Sequence, residues 1–366
     1  MRALLNEREG VSEMIFGSDN LVGASAQVLD ALVRANQGAL AGYGTDEITR
    51  RVEKRFCDLF ERDVSVFLVV TGTAANALSL AAAVPPWGMA ICHREAHIHE
   101  DECGAPEFFT HGAKLAGLPG VAGKMSTAVL SEFLTTLAAS SKQMPPKLVS
   151  LSQVTEAGTV YTLEEIAEVS DICRRHGLSL HMDGARFANA LATLGCSPAQ
   201  MTWKRGVDIV SFGASKNGCL AAEAIIVFDP DLAKDLEYRR KRSGHTLSKG
   251  RLLGAQMEAY LQNDHWLDNA RHANAMAALL LEGLAAIPGV RLPWPSEANE
   301  VFPIIPKRMD EALRSAGAQY FPWQTGSLPT GESIGSDEIL IRLVTSFATE
   351  KDTVERFIAV ARSAVA

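Results

Sequence analysis

The chain has 366 residues, of which 47% are hydrophobic and 21% charged, and its formal net charge is −8. These values exclude a disordered protein, and the acidic balance argues against a nucleic-acid binder, which would present a basic face. The length exceeds that of one typical domain, so we expect one large domain and one smaller domain. Because acidic residues interrupt the N-terminal segment where a signal peptide has an apolar core, we expect a cytoplasmic protein.

Strand-like apolar segments alternate with helix-like segments through the first two thirds of the chain. The predicted strands are residues 66–70, 147–153, 178–182, 208–212 and 222–228. This alternation predicts an α/β protein with a mostly parallel sheet and helices on both faces. The six cysteines are scattered without a CxxC pair, so we expect buried, reduced thiols.

The pattern changes near Trp266. A long amphipathic helix over 266–288 leads into short strands and a closing helix near 350–365, which predicts a smaller C-terminal α/β domain. We therefore divide the chain into an N-terminal arm (1–17), a large domain (18–262) and a small domain (263–366). Residues 321–336 are rich in Pro, Gly and Ser and are predicted to form a loop.

Two of the predicted strands end in polar residues that suit one cofactor. Asp183 and Arg186 follow one strand, and Lys216 follows the next, between small residues. A lysine amine, a carboxylate for a pyridinium nitrogen and a cation near a phenolate are the groups that bind pyridoxal phosphate (PLP). The alternatives are a solvated loop lysine and a structural Asp–Arg ion pair. Because the matched groups occur together, we favour PLP as the cofactor.

Residues 71–76 (Thr-Gly-Thr-Ala-Ala-Asn) lie where a strand turns into a helix. Gly72 and Thr73 would place backbone N–H groups at a helix N-terminus, where a phosphate binds readily. The alternative is a plain helix cap with Thr73 as the capping residue.

The densest polar cluster is residues 92–103, which contain His93, His97 and His99. A zinc site is one interpretation, but neither HExxH nor a CxxC pair is present, and we predict no metal. We instead expect His97 to stack on the cofactor ring and accept a proton, with Asp101 orienting it. We expect His93 and His99 to be ordinary surface residues.

Arg342 lies within an apolar strand, residues 339–347. A guanidinium there is costly without an anion, so we expect it to bind a substrate carboxylate. The alternative is an arginine paired with a nearby acid or directed outward.

Taken together, the motifs resemble those of the threonine aldolase / beta-eliminating lyase family of fold-type-I PLP enzymes, in particular its low-specificity bacterial branch, which includes phenylserine aldolases. They are residues 16–20 (Phe-Gly-Ser-Asp-Asn), 43–46 (Tyr-Gly-Thr-Asp), 71–76, 96–97 (Ala-His), 101–108 (Asp-Glu-Cys-Gly-Ala-Pro-Glu-Phe), 181–186 (His-Met-Asp-Gly-Ala-Arg), 216–218 (Lys-Asn-Gly) and 342–345 (Arg-Leu-Val-Thr). The resemblance runs nearly end to end. It implies the aspartate-aminotransferase-like fold, with a mostly parallel sheet of seven strands in the large domain.

The resemblance also implies roles for single residues. Lys216 forms the Schiff base with PLP, Asp183 pairs with the pyridinium nitrogen and Arg186 lies near the phenolate oxygen. Gly72 and Thr73 hold the phosphate, while His97 stacks on the ring.

Ser18, Arg342 and Tyr43 belong to the implied substrate-binding set. In the family, a neighbouring subunit completes the site, which implies a homodimer or homotetramer. Lys249, or Arg251 beside it, would reach the neighbour's phosphate.

The implied reaction is the reversible cleavage of an L-β-hydroxy-α-amino acid such as threonine, allo-threonine or phenylserine to glycine and an aldehyde. Lys216, His97 and Asp101 are the predicted catalytic residues. There are two departures from the family pattern. Ser215 precedes the lysine where many members have threonine. Glu156 lies in a segment where some members have a histidine near the substrate hydroxyl, which leaves the identity of the base open. The alternatives are another PLP enzyme of this fold, such as a β-eliminating lyase or an aminotransferase, and a ligand-binding module with a decayed site.

Overall fold

The computed structural model describes residues 14–137 and 140–365. The strands are β1 (Met14–Ile15), β2 (Ser65–Val69), β3 (Met89–His93), β4 (Lys114–Leu118), β5 (Gly120–Val121), β6 (Lys124–Met125), β7 (Pro146–Ser152), β8 (Ser179–Gly184), β9 (Ile209–Phe212), β10 (Glu223–Val227), β11 (Glu300–Val301), β12 (Ile304–Pro306), β13 (Ala318–Gln319), β14 (Phe321–Pro322) and β15 (Glu338–Val344).

The α-helices are α1 (Ala26–Ala35), α2 (Glu47–Leu59), α3 (Gly72–Ala83), α4 (His97–Glu100), α5 (Ala105–Phe109), α6 (Thr127–Thr136), α7 (Leu163–His176), α8 (Phe187–Leu194), α9 (Pro198–Met201), α10 (Pro230–Ala233), α11 (Leu236–Arg242), α12 (Arg251–Leu261), α13 (His265–Ala285), α14 (Lys307–Ser315) and α15 (Lys351–Ser363). Short 3-10 helices occupy Asp19–Leu21, Trp203–Arg205, Ser215–Asn217 and Gln262–Asp264.

The central sheet has seven strands in the order β2-β10-β9-β8-β7-β3-β4. Strand β10 is antiparallel to both of its neighbours, and the other pairs are parallel. The predicted mostly parallel seven-stranded sheet is therefore confirmed. Strands β3 and β10 are buried along their whole length, as expected for a sheet covered on both faces.

The parallel strands β7, β8 and β9 bring their carboxyl ends to the same edge of the sheet, where ligands bind in such folds. Asp183 near the end of β8 lies beside Ser211 on β9. Helix α7, which precedes β8, begins with a capping box between Thr162 and Glu165 and ends at Gly177 in the left-handed conformation (φ 65°). These caps fix where the helix stops and β8 begins.

A second hydrophobic core lies in the C-terminal part of the chain. Helices α13 and α15 pack there, and Phe16 joins them through an edge contact with Phe357. The predicted helices 266–288 and 350–365 correspond to α13 and α15. Strand β1 pairs with β13, so the described end of the predicted arm is part of this C-terminal layer; residues 1–13 of that arm lie outside the described residues. The domain limits remain a prediction.

Residues 321–336 begin with strand β14, which pairs with β15, and continue as an irregular segment. Trp323, Leu328 and Ile334 pack against a small cluster around Phe302. The predicted loop is thus partly a strand and is anchored by three apolar side chains.

Within the described ranges, no helix has the length and apolar character needed to cross a membrane. All six cysteines are free, but only Cys92, Cys173 and Cys219 are buried. The expectation of buried thiols is wrong for Cys103, which is exposed because it lies in the turn after α4.

Candidate active site

A cavity of about 340 Å³ opens at the carboxyl edge of the central sheet, against the N-terminus of α3. Five of the residues predicted for the site line it: Gly72, Thr73, His97, Asp183 and Lys216. They come from four separate segments of the chain. The fold therefore brings together the lysine, the acid, the imidazole and the helix N-terminus that the sequence analysis selected.

Lys216 lies in the 3-10 helix Ser215–Asn217, directly after β9. Its neighbour Asn217 is fixed on three sides, because Nδ2 donates to the Tyr260 hydroxyl and the Trp266 carbonyl, each at 2.8 Å, and its own carbonyl accepts from Asn269 Nδ2 at 2.8 Å. Lys216 Nζ itself makes no hydrogen bond or ion pair with any residue in 14–137 or 140–365. A rigid turn thus presents an unpaired amine to the cavity.

Asp183 is 4% exposed and is held by neutral donors. Asn76 Nδ2 donates to Oδ2 at 2.8 Å, and the Ala185 N–H donates to Oδ1 at 3.0 Å. No cation contacts this carboxylate within the described ranges, because Arg186 is paired with Asp19. A carboxylate that is oriented but not neutralised can pair with a cationic ring nitrogen.

Arg186 belongs to a neighbouring buried cluster and does not line the cavity. Its Nε and Nη2 donate to the Asp19 carboxylate at 2.8 and 3.1 Å, and Nη1 lies 3.3 Å from Glu300 Oε2. Burial acts to raise the pKa of Asp19, but the Arg186 and Lys216 charges outweigh it and the pKa is lowered. The structural Asp–Arg alternative is thus realised with Asp19 rather than Asp183, and a contact of Arg186 with a cofactor stays a prediction.

His97 begins helix α4 and is oriented by Glu102, whose side chain is fully buried. Its Nδ1 lies 2.9 Å from Glu102 Oε1. Asp101, predicted for this task, is exposed at the end of α4 and does not contact the imidazole, because the turn after the helix directs the next residue inward instead. The hydrogen bond to Glu102 raises the pKa of His97. An Nδ1–H held by Glu102 leaves Nε2 to exchange protons in the cavity.

Asn76 joins the imidazole side of the cavity to Asp183. Its Nδ2 donates to Glu102 Oε1 and to Asp183 Oδ2, both at 2.8 Å. Because ionised carboxylates only accept hydrogen bonds, this contact fixes the orientation of the amide. The sequence motif contained Asn76, but its role depends on side chains 26 and 107 positions away.

The N-terminus of α3 faces the cavity through Gly72 and Thr73. The capping residue is Thr71, whose hydroxyl accepts from the Ala74 N–H at 3.1 Å, so the alternative with Thr73 as cap is wrong. A Cβ atom on Gly72 would meet nothing within 4 Å, so there is open space in front of this helix end. The first-turn N–H groups and the helix dipole suit a phosphate.

Two carboxylates in the cavity wall were not assigned a role from the sequence. Glu156 lines the cavity without a hydrogen bond or ion pair to the described chain, and burial raises its pKa. Glu223 opens strand β10, and burial raises its pKa to about 7. The sequence does contain a signal for Glu223, because an acidic residue at the start of an apolar strand is unusual.

The remaining predicted residues lie outside the cavity lining. Arg342 is half-buried and donates through Nη2 to the Gly17 carbonyl at 3.3 Å, next to Ser18, with its guanidinium 4.5 Å from the Trp323 ring centre. Tyr43 and Lys249 are exposed, and Lys241 lies over the Tyr43 ring. Arg342 lies close to Ser18, and the Tyr43 N–H donates to the Ser248 carbonyl beside Lys249 at 3.1 Å.

The polar cluster 92–103 does not converge on one point. No group of three or more His, Cys, Asp or Glu side chains among residues 14–137 and 140–365 is placed to hold a metal. His99 pairs with Glu100 at 2.6 Å. The expectation that His93 lies at the surface is wrong, because it ends the buried strand β3, where burial lowers its pKa to about 4.

Comparison with known proteins shows the family of this chain. The sequence matches the beta-eliminating lyase family over residues 16–307. The chain belongs to this family. It is 45% identical to a low-specificity L-threonine aldolase of Pseudomonas aeruginosa over 307 residues, which are 84% of this chain and 88% of that protein.

Solved structures of the same fold extend the likeness. A threonine aldolase of Leishmania major has a TM-score of 0.89 and 33% identity, with 96% of this chain and 99% of that chain covered. A serine palmitoyltransferase of Sphingomonas wittichii, at 16% identity and a TM-score of 0.68 over 96% and 86% of the two chains, shows the fold alone. The family resemblance and the fold-type-I architecture predicted from the sequence are confirmed.

Proposed function

We propose that this protein is a PLP-dependent lyase that cleaves L-threonine, L-allo-threonine and related L-β-hydroxy-α-amino acids to glycine and an aldehyde. The observation that carries the proposal is the Lys216 amine, which has no partner in the described part of the chain and shares one cavity with Asp183, His97 and the α3 N-terminus. The names of the family relatives, low-specificity L-threonine aldolase and threonine aldolase, support the same reaction.

PLP fits the donor set of the cavity. Lys216 would hold its aldehyde carbon covalently, Asp183 its ring nitrogen, and the backbone N–H groups of Gly72 and Thr73 its phosphate. When bound, the cofactor supplies an electron sink for the bond cleaved at Cα. Asp183 would keep the ring nitrogen protonated, and the hydrogen bond from Asn76 would hold the Asp183 carboxylate in place for this role.

His97 is the group best placed to move the proton of the substrate β-hydroxyl. Glu102 holds Nδ1, so Nε2 would accept the proton while the Cα–Cβ bond breaks. Glu156 faces the same space and carries a second carboxylate to which a hydroxyl can donate. Because Asp101 does not contact the imidazole, Lys216 and His97 are the proposed catalytic residues.

Arg342 and Ser18 form the proposed site for the substrate carboxylate. Arg342 donates to the carbonyl of Gly17, adjacent to Ser18, and Asn20 two residues further lines the cavity. A guanidinium at this edge would bind a carboxylate in two hydrogen bonds and fix the orientation of Cα.

The proposed assembly is a homodimer or homotetramer in which a second subunit completes the site. Tyr43 and Lys249 are exposed and do not line the cavity, which is consistent with a role in the site of a neighbouring copy. The cytoplasmic location remains a prediction.

The test is product analysis with purified protein, PLP and L-threonine, without a keto acid. We expect glycine and acetaldehyde in equal amounts from the wild type and neither from Lys216→Ala. Release of a keto acid instead, or turnover that requires a keto-acid acceptor, would move the protein to another reaction of the fold. Equal turnover by Lys216→Ala would overturn the proposal.

A further inference from the structure

Residues 323–328, which we call the bridging segment, follow strand β14 and begin beside Arg342. The Trp323 N–H donates to the Leu340 carbonyl at 2.9 Å, and the centre of the Trp323 ring is 4.5 Å from the Arg342 guanidinium. Phe321, two residues earlier, lies opposite Arg342 in the sheet. The start of the bridging segment is therefore fixed to the strand that carries Arg342.

The other end of the bridging segment contacts the turn that precedes His97. The Ser327 hydroxyl donates to Glu95 Oε2. Arg94 Nη2 donates to the Gly326 carbonyl. Glu95 lies two residues before His97, which is the first residue of α4. Residues 95 and 327 are 232 positions apart, so this contact joins two distant parts of the chain.

The contact between the bridging segment and Glu95 is buried and closely fitted. Ser327 is fully buried, and Glu95 is 6% exposed. A Cβ atom at Gly326 would overlap with Glu95 Oε1. The backbone at position 326 therefore lies directly against the carboxylate, and any larger residue there would displace it.

Apolar packing already attaches the bridging segment to both parts of the molecule. Trp323 and Leu328 pack against a cluster that contains Phe302, from the C-terminal part, and Ala157, from the segment after β7. A buried carboxylate does not strengthen such packing, because its removal from water is costly. Glu95 Oε1 also lacks a hydrogen-bond partner among residues 14–137 and 140–365. The contact with Glu95 thus indicates a requirement for a defined position that packing alone does not meet.

The proposed reaction has such a requirement. Arg342 would bind the carboxylate on Cα, and His97 would accept the proton of the hydroxyl on Cβ, so the two side chains hold neighbouring carbon atoms of one substrate. Arg342 lies on β15 in the C-terminal sheet, whereas α4 packs with β3 of the central sheet. Neither sheet alone sets the separation of the two side chains. A misplacement of about 1 Å can cost ~10²-fold in rate.

We propose that Glu95 and Ser327 are positioning residues, which fix the separation of Arg342 and His97 through the bridging segment. The inference rests on the proposed function in taking Arg342 and His97 as the groups that hold the substrate. The bridging segment does not line the cavity that contains Lys216. Loss of the contact between Ser327 and Glu95 therefore reduces turnover and leaves PLP binding unchanged.

The first experiment compares threonine cleavage by Ser327→Ala and by the wild type. We expect kcat to fall about tenfold, part of the cost of misplacing reacting groups, while the PLP content measured by absorbance stays that of the wild type. Glycine has the carboxylate but no hydroxyl, so it does not depend on the separation of the two side chains. Its Kd, measured from the absorbance of the PLP-loaded protein, should stay within about twofold of the wild type.

Glu332→Gln is the matched control. Glu332 belongs to the same loop, 321–336, but pairs with Arg291 in the C-terminal part of the chain at 2.7 Å. Its kcat should equal that of the wild type. Glu95→Ala should lose about as much kcat as Ser327→Ala, and the double variant should lose no more than the larger single loss, since both remove one contact.

The second experiment needs neither cofactor nor activity. Amide hydrogen exchange is measured by mass spectrometry on peptides that cover α4 in the apoprotein. The N–H groups of Glu100 and Asp101 donate to carbonyls at the start of this helix. Ser327→Ala should raise the exchange rate of these amides about tenfold, because the turn before the helix loses its support, and Glu332→Gln should leave it unchanged.

Three results would overturn the inference: a kcat for Ser327→Ala within about twofold of the wild type, a fall in kcat matched by an equal fall in PLP content, or the same fall in Glu332→Gln. The second result would show a general structural role. Unchanged exchange in α4 would also contradict it. A wild-type protein that releases no aldehyde from threonine would instead refute the proposed function, so the two failures are distinguishable.

Discussion

Two clusters of buried charge lie side by side in this molecule, and they differ in what is left unpaired. In the first, Arg186 is bonded to Asp19 and Glu300, and all three side chains are nearly inaccessible. In the second, Lys216 and Glu156 both line a cavity, and neither has a bonded partner among residues 14–137 and 140–365. A cluster whose charged side chains are paired with one another stabilises the fold, whereas a cluster with unpaired charged side chains is suited to bind a ligand.

We expect the largest change in activity from a substitution in the cavity that contains Lys216 and Glu156. His97→Asn removes the proposed proton acceptor while keeping a similar shape, so kcat for threonine cleavage should fall by ~10²–10⁴-fold. The PLP content, measured by absorbance, should remain that of the wild type. A variant that keeps full activity would assign the base to another group, with Glu156 as the next candidate.

Arg186→Leu tests the cluster whose charges are paired within the chain. It leaves Asp19 and Glu300 buried without their cation, so the free energy of unfolding should fall by about 3–5 kcal/mol in chemical denaturation of the apoprotein.

The matched variant is Lys216→Leu. Because it removes an unpaired cation, its stability should stay within about 1 kcal/mol of the wild type. If both variants lose the same stability, the distinction between the two clusters is wrong.

Glu102→Gln should change the pH profile. The hydrogen bond to Glu102 raises the pKa of His97, and the base acts only when unprotonated, so wild-type kcat declines as the pH falls through this raised value. Weakening the bond lowers the pKa of His97 and moves the acidic limb to lower pH, by on the order of one unit. An unchanged limb would show that His97 does not set it.

The smallest effect is expected for Asp101→Asn. The side chain is exposed and does not touch the imidazole, so kcat and its pH dependence should stay within about twofold of the wild type. A loss comparable to that of Glu102→Gln would restore Asp101 to the site, acting through the substrate or a second subunit.

The sequence predicts β2, β7, β8, β9 and β10 because each is a clear apolar segment. It does not reveal β3 and β4. Strand β3 ends in a buried histidine within a polar cluster, and β4 begins with a lysine and has a glycine as its fourth residue. Both strands are as long as β2, so it is the polar and glycine residues, and not length, that hide them in the sequence.

The site residues also divide into those that the sequence predicts and those that only the structure identifies. The sequence predicts Lys216 and Asp183 because each follows an apolar strand and carries a side chain with a distinct chemical role. The choice of Glu102 over Asp101, and of Asp19 as the partner of Arg186, depends on turn geometry and on contacts 167 positions apart. Neighbouring acids look equivalent in a sequence, and only the direction of the chain after α4 separates them.

Borohydride reduction of the PLP-loaded protein, followed by peptide mass spectrometry, identifies the lysine that holds the cofactor. We expect the reduced cofactor to be attached to Lys216 in stoichiometric amount and Lys216→Ala to carry none. Attachment to a different lysine, or no attachment in a protein that still cleaves threonine, would contradict this expectation.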